Sequence, residues 1–363
     1  MNLSKVIKAI RPLHLSSMKK ARQHQDHLTK PLHSLGILES IAIQVAGITR
    51  NPLPELGKKR VILCAADHGV AAEGVSAFPA SVTPMMVLNF LKGGGAINAL
   101  ARQAGAEVLV VDAGVNADLP AHPQLRNAKI RSGTRNFKVE AAMTREECEK
   151  ALALGIQLAD QAKKDKVRWI ALGEMGIGNT TSAAALMASL LPCAVEDVTG
   201  FGTGIDRAQW MIKCKIISEA LRRYELNPSK PLEALQSVGG LEIATLAGVV
   251  LGSAKNRIPV VVDGFITSAA FLVAYRLTPQ VRDFCFFSHR SEEPGHTKFF
   301  ETLETEPLLN LKMRLGEGSG AALALPLLEA AIRTHREMAT FSSAKVPTRL
   351  KNKKTIRKTS SPS

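Results

Sequence analysis

The chain has 363 residues, of which 45% are hydrophobic and 22% charged, a balance typical of a folded α/β protein and unlike that of a disordered one. Its formal net charge of +15 suits partners such as nucleic acid, anionic lipid or phosphorylated small molecules. Aromatic residues make up only 4%, too few for a base-stacking surface, so nucleic acid is not an expected partner.

The positions of the charged residues and of the cysteines narrow the possible class of protein further. Residues 344–363 carry seven lysines or arginines and no acidic residue, which predicts a basic, disordered tail. The five cysteines are isolated and lack metal-ligand spacing, which is typical of a reducing compartment. No apolar run reaches the roughly 18 residues that cross a bilayer, and the first residues lack the apolar core of a signal peptide. These features predict a cytoplasmic protein without a membrane partner.

The first predicted element is a helical arm over residues 1–58. Its apolar side chains recur near one face of a helix, and the pattern ends at the breaker NPLPELG. The residues of that face are Leu28, Leu35, Leu38, Ile41, Ile43 and Val45.

From residue 59 onward, short apolar runs alternate with helical windows. This alternation predicts a parallel α/β sheet covered by helices. In such sheets ligands bind at the carboxyl ends of the strands, so the residues that follow each run are candidates for a site. The runs are VILCAAD, EVLVVDAGV, VRWIALGEMG, IPVVVDGF and DFCFFSH.

The turn after the third run joins an apolar strand pattern to a helix of small residues. Gly176 and Gly178 allow the backbone to approach a ligand closely. Asn179 and Thr180 are good N-cap residues, and free amides at a helix start attract an anion such as phosphate. A strand-to-helix turn that merely needs glycine has the same pattern. Glu174 beside it is either a donor-binding or proton-transfer group or an exposed loop glutamate.

Two further glycine-rich turns have a similar character. The turn TGFGTGID, with Gly202 and Gly204, precedes a helical window whose Lys213 would complete a phosphate pocket; a loop with a surface lysine is the alternative. The turn MRLGEGSGAALALP places Glu317 between glycines before another helix. A partly desolvated carboxylate there has a raised pKa and serves as a general base, whereas the alternative is a glutamate favoured by the helix dipole.

Neither a metal nor a dinucleotide cofactor is predicted. His68, His289 and His296 lie on separate segments without the HxH or HExxH spacing of metal sites. The run GGGAINAL at 93–100 follows a helical window, not a strand, and lacks GxGxxG spacing. Tight helix packing explains that run better than nucleotide binding.

Nine motifs stand in order along most of the chain: AADHGVAAEGVSAFP, VTPMMVLNFLKGGGAINALARQAGA, VVDAGV, GEMGIGNTTSAAAL, TGFGTGID, VGGLEIATLAGVVLG, IPVVVDGF, SHRSEEPGH and MRLGEGSGAALALP. Together they resemble the nicotinate-nucleotide:dimethylbenzimidazole phosphoribosyltransferase family. Nine ordered matches are far more specific than any one glycine turn. One segment departs from the family: residues 30–36 read KPLHSLG where KPPGSLG is usual, which leaves the geometry of that loop open.

The resemblance implies an architecture. A large α/β domain with a parallel, Rossmann-like sheet spans residues 59–290. A smaller helical domain combines residues 1–58 with a catalytic loop and helices over 291–343, and the protein forms a homodimer.

The resemblance also implies an activity without a cofactor. The phosphoribosyl group of nicotinate mononucleotide moves to 5,6-dimethylbenzimidazole, giving nicotinate and α-ribazole 5′-phosphate for the nucleotide loop of cobalamin. Glu317 matches the general base and Glu174 a second carboxylate that orients the ring or stabilises the cationic sugar. The expected substrate-binding residues are Gly176, Gly178, Asn179, Thr180, Gly202, Gly204, Lys213 and Ser291, with Phe78, Met86 and Leu315 toward the aromatic base.

Two other functions are compatible with parts of the sequence. Alternating strands and glycine turns also occur in nicotinamide-dinucleotide oxidoreductases, although the fingerprint spacing is missing. The sequence pI of 9.7 and the basic tail are compatible with a nucleic-acid-binding protein. Tight NADH binding without consumption of nicotinate mononucleotide would favour the first, and nucleic-acid binding lost with the tail would favour the second.

Overall fold

A parallel sheet lies at the centre of the computed structural model, which describes residues 3–191 and 193–347. Its order is 3-2-1-4-5-6, which confirms the expected parallel α/β architecture and is the strand order of doubly wound folds. In such folds ligands bind outside the carboxyl ends of the strands, and the order here reverses between the first and fourth strands. The strands are β1 (Lys58–Ala66), β2 (Ala106–Gly114), β3 (Leu125–Asn127), β4 (Val167–Met175), β5 (Val260–Val262) and β6 (Cys285–Phe287).

Helices cover both faces of this sheet, and a second, two-stranded parallel sheet joins β7 (His289–Ser291) to β8 (Leu309–Met313). Two 3-10 helices span Gly69–Glu73 and Pro279–Phe284. The α-helices are α1 (Leu3–Ala9), α2 (Leu15–His27), α3 (Ile37–Thr49), α4 (Val82–Leu91), α5 (Ala96–Gln103), α6 (Arg145–Lys164), α7 (Asn179–Leu190), α8 (Val195–Val198), α9 (Arg207–Arg223), α10 (Pro231–Val238), α11 (Leu241–Asn256), α12 (Phe265–Leu277), α13 (Pro294–Thr302) and α14 (Ser319–Glu337).

The core is built from aliphatic strands and closely packed helices. Residues 61–66 of β1 are buried without interruption, as expected of a central strand covered on both faces. Helices α6 and α11 approach through glycine: a Cβ on Gly155 would lie 1.9 Å from the carbonyl oxygen of Thr245. Helix α11 also packs on β1, β2 and β4, so these two helices form a layer over the centre of the sheet.

The N-terminal arm consists of three helices, α1 to α3, where the periodicity alone predicts one continuous helical pattern. Pro12 and Pro31 lie between them, and proline interrupts a helix because it lacks an amide donor. The arm packs on the other end of the chain. Gln25 Nε2 lies 2.9 Å from His335 Nδ1, and Leu28 forms an isolated antiparallel bridge with Thr340. The chain ends therefore lie together, while the domain boundaries at 58, 290 and 343 stay predictions.

The unusual segment at residues 30–36 forms a tight loop before α3. Lys30 Nζ donates to Glu39 Oε1 at 2.7 Å, and the Leu35 amide donates to the same oxygen at 3.1 Å. His33 stands where the family has glycine and adopts φ = 62°, with its side chain 82% exposed. The histidine thus occupies a left-handed position that glycine adopts at lower cost.

Two predictions concern the basic C-terminal tail and membrane-spanning helices. Of the predicted basic tail, residues 348–363 lie outside the described part of the chain. Within residues 3–191 and 193–347, no helix is both long and apolar enough to cross a membrane.

Candidate active site

A cavity of 430 Å³ lies at the carboxyl edge of the large sheet, beside the ends of β4 and β5. Three other hollows, of 660–1210 Å³, lie against the N-terminal arm or at the start of β1 and β2, so size alone does not mark the site. Ten of the thirteen predicted site residues line the 430 Å³ cavity. They are Phe78, Met86, Glu174, Gly176, Asn179, Thr180, Gly202, Ser291, Leu315 and Glu317.

Glu174 lies at the end of β4 and is 5% exposed. Its Oε2 accepts a hydrogen bond from Asn179 Nδ2 at 2.5 Å. Burial, followed by the charges of Asp263 and Glu242, raises the pKa of Glu174 to about 8, against the opposing effect of that hydrogen bond. The carboxyl is therefore protonated near neutral pH, and a cation entering the cavity would favour its ionised form.

Glu317 occupies a left-handed loop just before α14. Its φ is 64°, between Gly316 at 87° and Gly318 at 89°. Its Oε2 accepts the Ile97 amide at 3.1 Å, at the start of α5, and the Ala96 amide also donates to the carboxylate. Burial raises the pKa of Glu317, and the two amides oppose that shift. The result is a partly desolvated carboxylate held at a helix N-terminus.

The two carboxylates lie on segments that touch each other. A Cβ on Gly173 would lie 2.6 Å from the Glu317 carbonyl oxygen, and a Cβ on Gly316 would lie 2.3 Å from Glu174 Oε1. Position 173 therefore requires glycine because a Cβ would meet backbone, and position 316 favours glycine because its φ is 87°. This packing brings residues 143 positions apart in the sequence into one wall of the cavity.

Lys213 lies behind the cavity wall rather than in it. Its side chain is fully buried on α9, and Nζ donates to Thr180 Oγ1 at 2.9 Å and to the Gly200 carbonyl oxygen at 3.4 Å. Burial lowers the pKa of Lys213 to about 8, which the charge of Glu293 opposes. A Cβ on Gly202 would come within 3.4 Å of Nζ. Only the thin wall formed by Thr180 and Gly202 therefore separates the ammonium from the cavity.

The other two predicted residues outside the cavity wall are glycines. Gly178 caps α7 at φ = 95° and faces His68 and Ala71. Gly204, at φ = 104°, lies in an open turn, where a Cβ would have no heavy atom within 4 Å. Their left-handed geometry explains the glycines, whereas their substrate-binding roles stay predictions.

Two helix N-termini open into the cavity. Asn179 and Thr180 begin α7, and Phe265 and Ile266 begin α12 after Gly264. At α7 the Asn179 and Thr181 amides already donate to the Gly176 and Gly178 carbonyl oxygens, at 3.1 and 3.0 Å. These helix starts therefore face the cavity with their partial positive charge and their remaining first-turn amides. With Lys213 behind the wall, this part of the cavity is suited to an anion such as phosphate.

The remaining wall is apolar. Phe78 and Leu315 are 53% and 56% exposed at the cavity rim. Val82, Met86 and Ile177 continue this surface inward. Flexible methionine and flat aromatic side chains suit a planar, apolar ring.

The three histidines considered for metal binding have other partners. His68 is buried below the glycine turn, with Nδ1 2.9 Å from Ser182 Oγ and Nε2 2.6 Å from Glu242 Oε1. His296 Nδ1 accepts the Ser291 amide at 2.9 Å, and burial lowers the pKa of His289 to about 4. Across residues 3–191 and 193–347, no group of three or more His, Cys, Asp or Glu side chains is placed to hold a metal.

Several residues of the site are not evident from the sequence. The amides of Ala96 and Ile97 hold Glu317, although the pattern of the run at 93–100 indicates packing alone. That packing is also present, because a Cβ on Gly95 would lie 2.4 Å from Phe90 Cδ1. Glu293 lines the cavity, and its Oε2 has no hydrogen-bond partner. The acidic pair in SHRSEEPGH is the one signal in the sequence that could have found it.

Comparison with known proteins assigns the chain to a family. Residues 10–346 match the model of a family described as phosphoribosyltransferase, DBI_PRT. The chain belongs to this family. Membership supports the expected transferase activity over a dinucleotide-dependent oxidoreductase or a nucleic-acid binder.

Relatives in this family are similar over nearly their whole length. The nicotinate-nucleotide–dimethylbenzimidazole phosphoribosyltransferase of Chloroflexus aggregans is 52% identical, over 95% of this chain and 98% of its own. The enzyme of the same name from Geobacter sp. is 48% identical, over 95% of this chain and 99% of its own. CobT from Thermus thermophilus is 46% identical in sequence. Its crystal structure superposes on this one with a TM-score of 0.88, and the match covers 92% of this chain and 99% of that one.

Proposed function

We propose that this family member transfers the phosphoribosyl group of nicotinate mononucleotide to 5,6-dimethylbenzimidazole. The products are nicotinate and α-ribazole 5′-phosphate, the nucleotide precursor of the cobalamin lower ligand. The observation that carries the proposal is one cavity lined by two touching carboxylate segments, Glu174 and Glu317, by two helix N-termini and by an apolar wall. The names of the relatives supply the two substrates.

The leaving group needs no acid. Nicotinate departs from a quaternised ring nitrogen, so the C–N bond electrons neutralise that nitrogen as the bond breaks. Positive charge develops on the ribose at the same time. In this proposal Glu174 stabilises that charge, because the pyridinium of the bound nucleotide favours the ionised carboxylate despite its burial.

The incoming base requires a proton acceptor. One nitrogen of 5,6-dimethylbenzimidazole attacks the anomeric carbon on the face opposite nicotinate, which inverts β to α. The other nitrogen then loses its proton to Glu317. Burial raises the pKa of Glu317 and makes it a stronger base, while the Ile97 and Ala96 amides hold the carboxylate at the cavity wall.

The remaining predicted residues bind the two substrates. Amides at the starts of α7 and α12, with Gly176 and Gly202 of the cavity wall, surround the 5′-phosphate, while Gly178 and Gly204 shape the turns that carry this wall. Lys213 adds positive charge through the wall at Thr180, and Ser291 contributes its hydroxyl. The apolar wall of Phe78, Met86 and Leu315 contacts the benzimidazole ring.

The proposal includes a homodimer, in which a second copy of the chain covers exposed apolar side chains. Phe78 and Leu315 at the cavity rim are exposed, as are Phe201 on the neighbouring loop and Met211 and Ile212 on α9. Exposed apolar side chains of this size favour a protein partner, and a homodimer with a mass of about twice 39.0 kDa is expected. The five free cysteines suit a cytoplasmic location. Sedimentation of the fully active protein as a monomer would contradict the dimer.

The activity is tested by incubating the purified chain with nicotinate mononucleotide and a panel of benzimidazoles, purines and phenols. Products are identified by mass and by the configuration of the anomeric carbon. Formation of α-ribazole 5′-phosphate with release of one nicotinate per product supports the proposal. A folded chain that consumes no nicotinate mononucleotide with any acceptor contradicts it.

A further inference from the structure

Asp263 is a buried carboxylate directly after β5, and it is 1% exposed. Its Oδ1 accepts the Ala321 amide at 2.8 Å and its Oδ2 accepts the Gly318 amide at 3.2 Å. The amides of Gly264 and Gly320 also donate to this carboxylate. One side chain therefore satisfies first-turn amides of α14 that would otherwise be buried without partners.

These hydrogen bonds hold a strained loop. Residues 316–318 are three consecutive left-handed residues, and the middle one is Glu317 at φ = 64°. A non-glycine residue in this region costs roughly 1–2 kcal/mol and persists only where its surroundings fix it. Asp263 holds the residue that directly follows Glu317, and Ser319 Oγ donates to the Gly316 carbonyl oxygen at 2.7 Å.

We propose that Asp263 is a positioning residue for Glu317, an inference that rests on the proposed function. Its carboxylate fixes the start of α14 and thereby the direction of the Glu317 side chain between the α5 amides and the cavity. Asp263 itself stays outside the cavity wall, so it acts through the loop and not by touching substrate.

The substitution that tests this role is Asp263→Asn. Asparagine keeps the size and one acceptor oxygen, but its amide group would face a backbone N–H and cannot accept from it. The loop then loses part of its anchor. We expect kcat to fall roughly 10- to 100-fold, since small misplacement of a catalytic group has effects of that order. The KM of each substrate should stay within about 3-fold, because the binding walls are retained.

A double-mutant cycle separates positioning from general damage to the fold. If Asp263 acts through Glu317, Asp263→Asn should slow the native enzyme but change kcat by less than about 3-fold in a Glu317→Gln background, measured by mass detection of product. Equal losses in both backgrounds, or no loss in either, would overturn the inference. Absence of product from the native chain would instead overturn the proposed function.

Two further variants keep the test decisive. Asp112→Asn is the matched control, because Asp112 is fully buried in β2 and accepts the Val115 amide at 2.8 Å. It should lower stability while leaving kcat unchanged. If Asp263→Asn does not fold, Ser319→Ala removes the other anchor of the same loop and should lower kcat about 3- to 10-fold, again only when Glu317 is present. A Ser319→Ala loss that persists in Glu317→Gln would also overturn the inference.

Discussion

The raised pKa of Glu174 predicts a pH-dependent change in stability when this residue becomes glutamine. The ordinary carboxyl value of 4.5 rises to about 8 in the fold, chiefly through burial. Because the folded-state pKa lies above the unfolded one, the folded protein retains this proton between about pH 4.5 and 8. Stability linked to Glu174 is therefore full below that window and is lost as the pH rises through it.

One pKa unit corresponds to about 1.4 kcal/mol, so ionised Glu174 lowers the free energy of unfolding by on the order of 5 kcal/mol above pH 8. Glutamine keeps the acceptor for Asn179 but never ionises. Glu174→Gln should therefore match the native protein at pH 4.5 and exceed its unfolding free energy by a few kcal/mol at pH 9.

Urea unfolding of both proteins at pH 4.5, 7 and 9 measures this difference. Glu196→Gln, at an exposed position, is the matched control for the loss of a carboxyl group. Asp263, whose pKa burial raises to about 7, contributes to both members of the Glu174 comparison. A difference between native protein and Glu174→Gln that does not grow with pH would refute the assignment of Glu174 as a buried, high-pKa carboxyl.

Three other substitutions have defined outcomes. Lys213→Ala should raise the KM for nicotinate mononucleotide several-fold, since it removes a positive charge behind the wall and the hydrogen bond that holds Thr180, while Lys215→Ala on the exposed face of the same helix should leave the KM unchanged; an unchanged KM in folded Lys213→Ala would count against its phosphate role. His33→Gly should raise the unfolding free energy by about 0.5–1 kcal/mol in urea titration by relieving φ = 62°, and a loss would show that the side chain stabilises the loop. Gly155→Ala should lower the thermal midpoint, with a destabilisation of at least about 2 kcal/mol despite alanine's better helix propensity, because its Cβ would meet the backbone of α11; near-native stability would contradict that packing.

The long central strands could be predicted because each is an apolar run that ends in small or polar residues. The short β3 could not, since Leu125–Asn127 has only three residues and none is buried. Strands β7 and β8 could not be predicted either, since β7 has only three residues, β8 has no buried residue, and the two pair with each other outside the main sheet. In the arm, apolar periodicity continued across the gaps between helices, so only the prolines marked where the helices end.

In the candidate site, too, some residues could be predicted from the sequence and others could not. Glu174 and Glu317 were accessible from sequence because glycines on both sides of a carboxylate are a local pattern. The groups that hold these carboxylates in place could not be predicted from the sequence. Ile97 holds Glu317 from 220 residues away, and Asp263 binds the amides of a helix that begins 56 residues later. Such partners are set by the strand order of the sheet, which places distant strand ends side by side.

The role of Glu317 is the central chemical claim, and an acceptor without a transferable proton offers a control for it. In 1,5,6-trimethylbenzimidazole the second ring nitrogen carries a methyl group, so attack on the anomeric carbon releases no proton. Where this acceptor reacts, Glu317→Gln should use it at about the native rate. A large loss confined to 5,6-dimethylbenzimidazole would then identify the missing step as proton removal.

The most direct measurement is the turnover of nicotinate mononucleotide with 5,6-dimethylbenzimidazole by native protein and Glu317→Gln, with the fold of both verified by circular dichroism. The native chain should form α-ribazole 5′-phosphate. The variant should retain KM within about 3-fold while losing on the order of 10²–10⁴ in kcat, the range for removal of a positioned general base. Near-native turnover by Glu317→Gln would show that Glu174 or solvent accepts the proton and that Glu317 is not the general base.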